Sequence, residues 1–218
     1  MRVLICYNYK MSIIVFTNEE MSILASRDEK MAKAIEVIGP INREAVDDVF
    51  TAIIESIVSQ QLSGKVADII CKRLHNLLGI INPSNIMKTE DDVIKSVGLS
   101  YRKVSYIKGV ANAVINGSLD IDNLQNLSDR EVIDELVKLK GIGEWTAEML
   151  LIFALKRKDV LSLKDLGIRR GIEYLYDDQS IDIVKLKNKF SPLNSLASLY
   201  LWEIAGKGRE WVIKNIIK

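Results

Sequence analysis

The chain has 218 residues, enough to bury a sizeable core as one domain or as two small ones. A hydrophobic share of 48% beside 27% charged residues excludes wholesale disorder. Thirty basic residues against 29 acidic ones leave a net charge of +1, so any nucleic-acid surface has to come from local basic clusters.

No apolar run approaches the roughly 20 residues that span a bilayer. The apolar opening VLIC is broken by Tyr7, Asn8 and Lys10, too short and too polar for a signal peptide. A cytoplasmic protein with no membrane contact is expected. Cys6 and Cys71 are the only cysteines and His75 the only histidine. They cannot supply a four-cysteine iron–sulfur or zinc site, nor a Ser–His–Asp triad at the motif described below. Any enzyme built on this chain has to work with carboxylates, backbone groups and water.

In chain order, MSIIVF at 11–16 is the one strand-like stretch. Helical periodicity dominates from about Ser22 onward. Ile53, Ile54, Ile57, Val58 and Leu62 form one apolar stripe, ended by Gln60, Gln61 and Ser63. Asn82-Pro83-Ser84 and Asn116-Gly117 read as short loops, and Thr89-x-x-Asp92 and Ser128-x-x-Glu131 as capping boxes. Leu136, Leu139 and Ile142 close a helix against a G-I-G turn, and Ala147, Leu150, Leu151 and Ala154 make the inner face of the helix behind it. The sum is an all-α fold of ten or so short helices, with one short N-terminal strand and no parallel sheet.

The stretch LKGIGEWTAEML at 139–150 is a helix-hairpin-helix pattern. Gly141 and Gly143 permit positive φ and close approach of a phosphate, where a β-carbon would obstruct it. Amides at the start of the following helix are a ready anion site. Asp165 in SLKDLGIRR then stands as an N-cap for the next helix; a cap fixes the side chain where the helix end favours negative charge. Lys156-Arg157-Lys158 and Arg169-Arg170 bracket that segment and are the local candidates for phosphate contacts. Trp202 reads as core.

Together these blocks resemble the helix-hairpin-helix DNA glycosylases, and among them the 3-methyladenine DNA glycosylase II type. LKGIGEWTA matches the L-x-G-I-G-x-W-T-A block, and Asp165-Leu166-Gly167-Ile168-Arg169-Arg170 the segment with the catalytic aspartate. SIVSQQLSGKVA at 56–67 and VGLSYRKVSYIKGVA at 97–111 are similar to two further blocks, so the likeness extends over roughly 25–205. The resemblance implies two helical lobes with an active cleft between them. One lobe spans 42–158 and contains the hairpin; the other is built from 1–41 with 159–218.

It also implies roles. Asp165 is the implied catalytic aspartate, a carboxylate that stabilises charge on the sugar, and Trp145 lines the base pocket. Gln61 plugs the stack left by an extruded base and Gln60 contacts the minor groove, while Gly141, Ile142, Gly143, Thr146 and Arg169 complete the DNA-binding set. Backbone carbonyls of Val137, Leu139 and Ile142 hold a monovalent cation. Otherwise no cofactor is required, and the cysteines of the iron–sulfur branch are absent. Trp145 stands where strand-cutting relatives carry a Schiff-base lysine. The expectation is therefore a monomeric, monofunctional glycosylase acting on double-stranded DNA with damaged bases, alkylated purines foremost, in base-excision repair. Two alternatives stay open: a glycosylase for another lesion such as ethenoadenine, hypoxanthine or uracil, and a non-catalytic DNA-binding module.

Overall fold

A computed structural model describes residues 11–178 and 181–217. Among these residues it contains thirteen α-helices and a single two-stranded sheet, so the fold is all-α. The first strand, β1 (Met11–Ile14), covers most of the expected strand-like stretch. Its partner β2 (Arg43–Val46) is a strand that sequence patterning does not announce, because REAV is short and half charged. Cys6 lies outside the described residues, and Cys71 is a buried free thiol. No described helix is long and apolar enough to cross a membrane.

By contacts the chain divides into two compact units, one of residues 13–44 with 156–218 and one containing 45–155. In the second, α3 (Val49–Ser59) is the central helix. Phe50 through Glu55, with Ile57 and Val58, are buried, and Asp48 caps it by accepting from the Thr51 amide at 2.7 Å. A helix apolar almost all round has to be enclosed by others. α4 (Gly64–Leu78), α7 (Tyr101–Ile115) and α9 (Glu144–Phe153) pack on it. The one charge inside α3, Glu55, meets His75 of α4 at 2.8 Å.

Two short helices, α5 (Pro83–Lys88) and α6 (Asp91–Lys95), precede α7. The capping box expected at Thr89 does not form. Thr89 ends α5 and donates its hydroxyl to the Asn85 carbonyl, α6 starts one residue later at Glu90 without a side-chain cap, and the Asp92 carboxylate takes the Tyr101 hydroxyl. The box at Ser128 and Glu131 does form, and starts α8 (Asp129–Leu136).

In the first unit, α1 (Asn18–Arg27) and α2 (Glu29–Ile38) come from one end of the chain. α10 (Leu166–Tyr176), α11 (Ile183–Phe190), α12 (Asn194–Lys207) and α13 (Arg209–Val212) come from the other. Every residue of α12 from Asn194 to Leu201 is buried. Its polar side chains donate inward: Asn194 to Asp159, Ser195 to the Arg157 carbonyl and Ser198 to the Val160 carbonyl. These bonds fix the segment leading to Asp165.

Candidate functional site

The hairpin is built by α8, a seven-residue turn and α9. α8 ends at Leu136, so Leu139 lies in the turn rather than closing the helix. Amides of Lys138 and Leu139 reach back to Glu135 and Leu136 carbonyls, and the Ile142 amide reaches Leu139 at 3.1 Å, which tightens the chain into the turn. The Ile142 side chain is buried beneath it. Gly141 has φ +92, and a β-carbon there would lie 2.3 Å from Cδ2 of Tyr106. The glycine is thus required by the tyrosine ring of α7 as well as by backbone shape.

Gly143 differs from expectation. Its φ is −99, open to any residue, and a β-carbon would meet nothing within 4 Å. Its place is the N-cap of α9, where no side chain caps the helix. First-turn amides have no carbonyl partner within their own helix. Thr146 is buried, so what it can offer an anion is its amide and not its hydroxyl. Trp145, by contrast, is 40% exposed on the first turn of α9.

At the end of α3 the chain turns sharply. Gln60 has φ −54 and ψ 131, Gln61 has φ +59, and the Leu62 amide bonds the Ser59 carbonyl at 3.2 Å. This is a type II turn with a glutamine where glycine is preferred. Gln61 projects into solvent, while the Gln60 amide nitrogen donates to the Gly141 carbonyl at 2.6 Å. The turn after α3 and the hairpin are thereby joined within one unit.

In the other unit, Asp165 is 6% exposed and caps α10, accepting from the Ile168 amide at 2.7 Å as expected. The same oxygen, Oδ1, accepts from Trp202 Nε1 of α12 at 2.8 Å. Trp202 is therefore a partner of the candidate catalytic acid and not simply core. A partly buried indole needs an acceptor, but nothing local in the sequence pairs it with a residue 37 positions away. Arg169 and Arg170 are exposed on α10, one turn beyond the cap. Of the preceding basic run, Lys156 is exposed, Arg157 is half-buried, and Lys158 is engaged by Glu20. Among the described residues no group of histidine, cysteine and acidic side chains is placed to hold a metal.

Comparison with known proteins bears on this geometry. A family model described as HhH-GPD superfamily base excision DNA repair protein matches residues 54–193. DNA-3-methyladenine glycosylase 1 of Schizosaccharomyces pombe is 31% identical over 83% of this chain and 84% of its own length. The solved structure of a DNA-3-methyladenine glycosidase from Bacillus halodurans superposes with a TM-score of 0.81 at 33% identity, covering 89% of this chain and 93% of that one. A structure of the S. pombe 3-methyladenine DNA glycosylase in complex with abasic DNA gives 0.76 at 31% identity, with 85% and 96% covered.

Proposed function

We infer that this chain, which belongs to the HhH-GPD superfamily of base excision DNA repair proteins, is a monofunctional DNA glycosylase that hydrolyses the N-glycosidic bond of alkylated purines, 3-methyladenine foremost. The observation that carries this reading is Asp165, a buried carboxylate anchored twice through one oxygen, in the segment whose resemblance to the family implies the catalytic aspartate. The names of the relatives support the alkylated-purine class.

The chemistry follows from the charge of the substrate. An N3- or N7-alkylated purine is cationic, so it leaves with the C1′–N electron pair and needs no acid to protonate it. Positive charge builds on the sugar as the bond breaks. A carboxylate ~4 Å from that charge stabilises it by roughly 4 kcal/mol at an effective dielectric near 20. Water oriented by Asp165 then adds its oxygen to C1′, and its surplus proton passes to solvent water. Trp145 offers an indole face to the electron-poor base, worth about 0.5–2 kcal/mol for a cation.

Before any of this the base has to leave the duplex, at a cost of a few kcal/mol. Gln61 fills the vacated stack and Gln60 lies beside the minor groove. The turn at Gly141, Ile142 and Gly143, with the α9 amides through Thr146, grips a phosphate, and Arg169 contacts another. Carbonyls of Val137, Leu139 and Ile142 would hold a monovalent cation there. The fit is favoured by the Leu139 carbonyl, which accepts one hydrogen bond from Ile142 and keeps a second lone pair. Bound, such an ion would add positive charge to the phosphate grip.

The test is release of free base from methylated duplex DNA. Loss of the carboxylate in Asp165→Asn should slow release by about a thousandfold, the equivalent of roughly 4 kcal/mol. Release at the wild-type rate would remove Asp165 from the mechanism. Tight, salt-sensitive binding without release by the wild-type protein would leave only a binding module. A panel of single-lesion duplexes separates alkylated purines from ethenoadenine, hypoxanthine and uracil. Borohydride should trap no enzyme–DNA adduct, because Trp145 offers no amine.

A further inference from the structure

Lys103, the third residue of α7, serves neither a salt bridge nor the surface. Its ammonium donates to the Val58 carbonyl in the last turn of α3 at 2.7 Å and to the carbonyl of its C-cap Gln60 at 2.8 Å. The final carbonyls of a helix have no partner within it, and here one cation takes two of the exposed oxygens. Immediately after them the chain passes into the left-handed conformation at Gln61, φ +59, which a glutamine does not adopt by preference. Something outside the turn must hold it there. Two groups do: Lys103 from α7, and the Gly141 carbonyl of the hairpin, which accepts from the Gln60 side-chain amide at 2.6 Å. The ammonium is partly desolvated in this position. Burial chiefly, with the like charge of Arg102 adding to it, pulls Lys103 below the ordinary lysine range, against the opposing influence of Cys71.

We propose that Lys103 is a positioning residue for base extrusion: it clamps the turn after α3 so that Gln61 is presented in its strained conformation, in register with the hairpin through Gln60 and Gly141. The two DNA-gripping loops then behave as one rigid piece. A wedge held in place in advance is not ordered at the moment the base leaves the stack, so its ordering adds nothing to the barrier. This rests on the glycosylase reading and on Gln61 as the wedge.

The experiment compares single-turnover base release from a methylated duplex and from the same methylated strand alone. Only the duplex has a partner strand and a continuous stack that a wedge must replace. Lys103→Met keeps length and apolar volume but loses both bonds. It should lower release from the duplex by about tenfold or more while changing release from the single strand by less than about threefold. Lys103→Arg, which can still donate to both carbonyls, should return the duplex rate to within about threefold of wild type. Gln60→Ala should reproduce the duplex-selective loss, and the double variant should lose less than the product of the two, because both act through one turn. Equal losses on both substrates would mean a phosphate contact or general damage and overturn the proposal, as would no loss on either. If Lys103→Met does not fold, Lys103→Gln, which is polar but too short to reach both carbonyls, decides on the same ratio. Absence of base release by the wild-type protein would instead refute the glycosylase reading itself.

Discussion

Asp165 Oδ1 receives two donors, the Ile168 amide at 2.7 Å and the Trp202 indole at 2.8 Å. Two donors on one oxygen fix the rotation of the carboxylate, which a helix cap alone leaves freer. Gly167 belongs to the same arrangement. A β-carbon there would lie 2.7 Å from Trp202 Cδ1 and 3.1 Å from Asp165 Oδ1, so a methyl group at 167 pushes the ring off its acceptor. A hydrogen bond to a charged group contributes ~1.5–3 kcal/mol. Trp202→Phe, which keeps a ring and loses the N–H, should therefore slow base release at saturating DNA by about tenfold to a hundredfold. The KM for DNA should change little, since no DNA contact is removed. Gly167→Ala should give the same pattern through displacement of the indole. Wild-type single-turnover rates in both variants would mean that Trp202 only packs.

Between elements, the approach of α10 to α12 is limited by Gly171. A β-carbon at that position would stand 2.2 Å from the Leu201 carbonyl oxygen, which is backbone and cannot rotate away. Gly171→Ala must drive the helices apart, at a cost of about 1–3 kcal/mol for overpacking, or a fall in Tm of roughly 2–10 °C for a chain this size. Because Asp165 and Trp202 sit on those two helices, release should fall together with stability; a variant as stable and active as wild type would refute the close packing. This pair also marks where sequence reading stops. The hairpin, the Ser128 box and the Asp165 cap were legible because each is a local pattern, settled within a few residues. The Thr89 box failed because Glu90 competed for the same helix start and Tyr101 took the Asp92 carboxylate. β2 was invisible because a four-residue strand carrying Arg43 and Glu44 has no apolar alternation. The Trp202 bond and the Lys103 clamp join residues 37 and more than 40 positions apart, and only the packing of whole helices brings them together.

At the scale of the molecule, the unit made from both chain ends has to close over a long intervening segment, and the entropy of that closure is recovered by contacts between its halves. Asp28 is one such contact. It is 5% exposed, caps α2 by accepting from the Met31 amide at 2.8 Å, and takes the Lys189 ammonium of α11 at 2.6 Å, 161 positions away. Burial opposes its charge, yet Lys189 and the Met31 amide outweigh that and hold the carboxyl below its usual range. The same burial, with Asp28 beside it, pushes the Tyr176 phenol far up, so that group stays neutral throughout. A carboxyl with a lowered folded-state pKa adds stability that is present in full above its unfolded value, about 3.9, and is lost as pH falls through the folded value. Asp28→Asn isolates the charge, because asparagine caps helices as well as aspartate does. The variant should melt below wild type at neutral pH, where Lys189 loses its counter-charge. The gap should then narrow as pH drops below about 4, where the wild-type carboxyl is itself neutralised. Melting temperatures of both proteins across that range test the argument: parallel curves would show that the Asp28–Lys189 contact holds the two chain ends together by shape and not by charge.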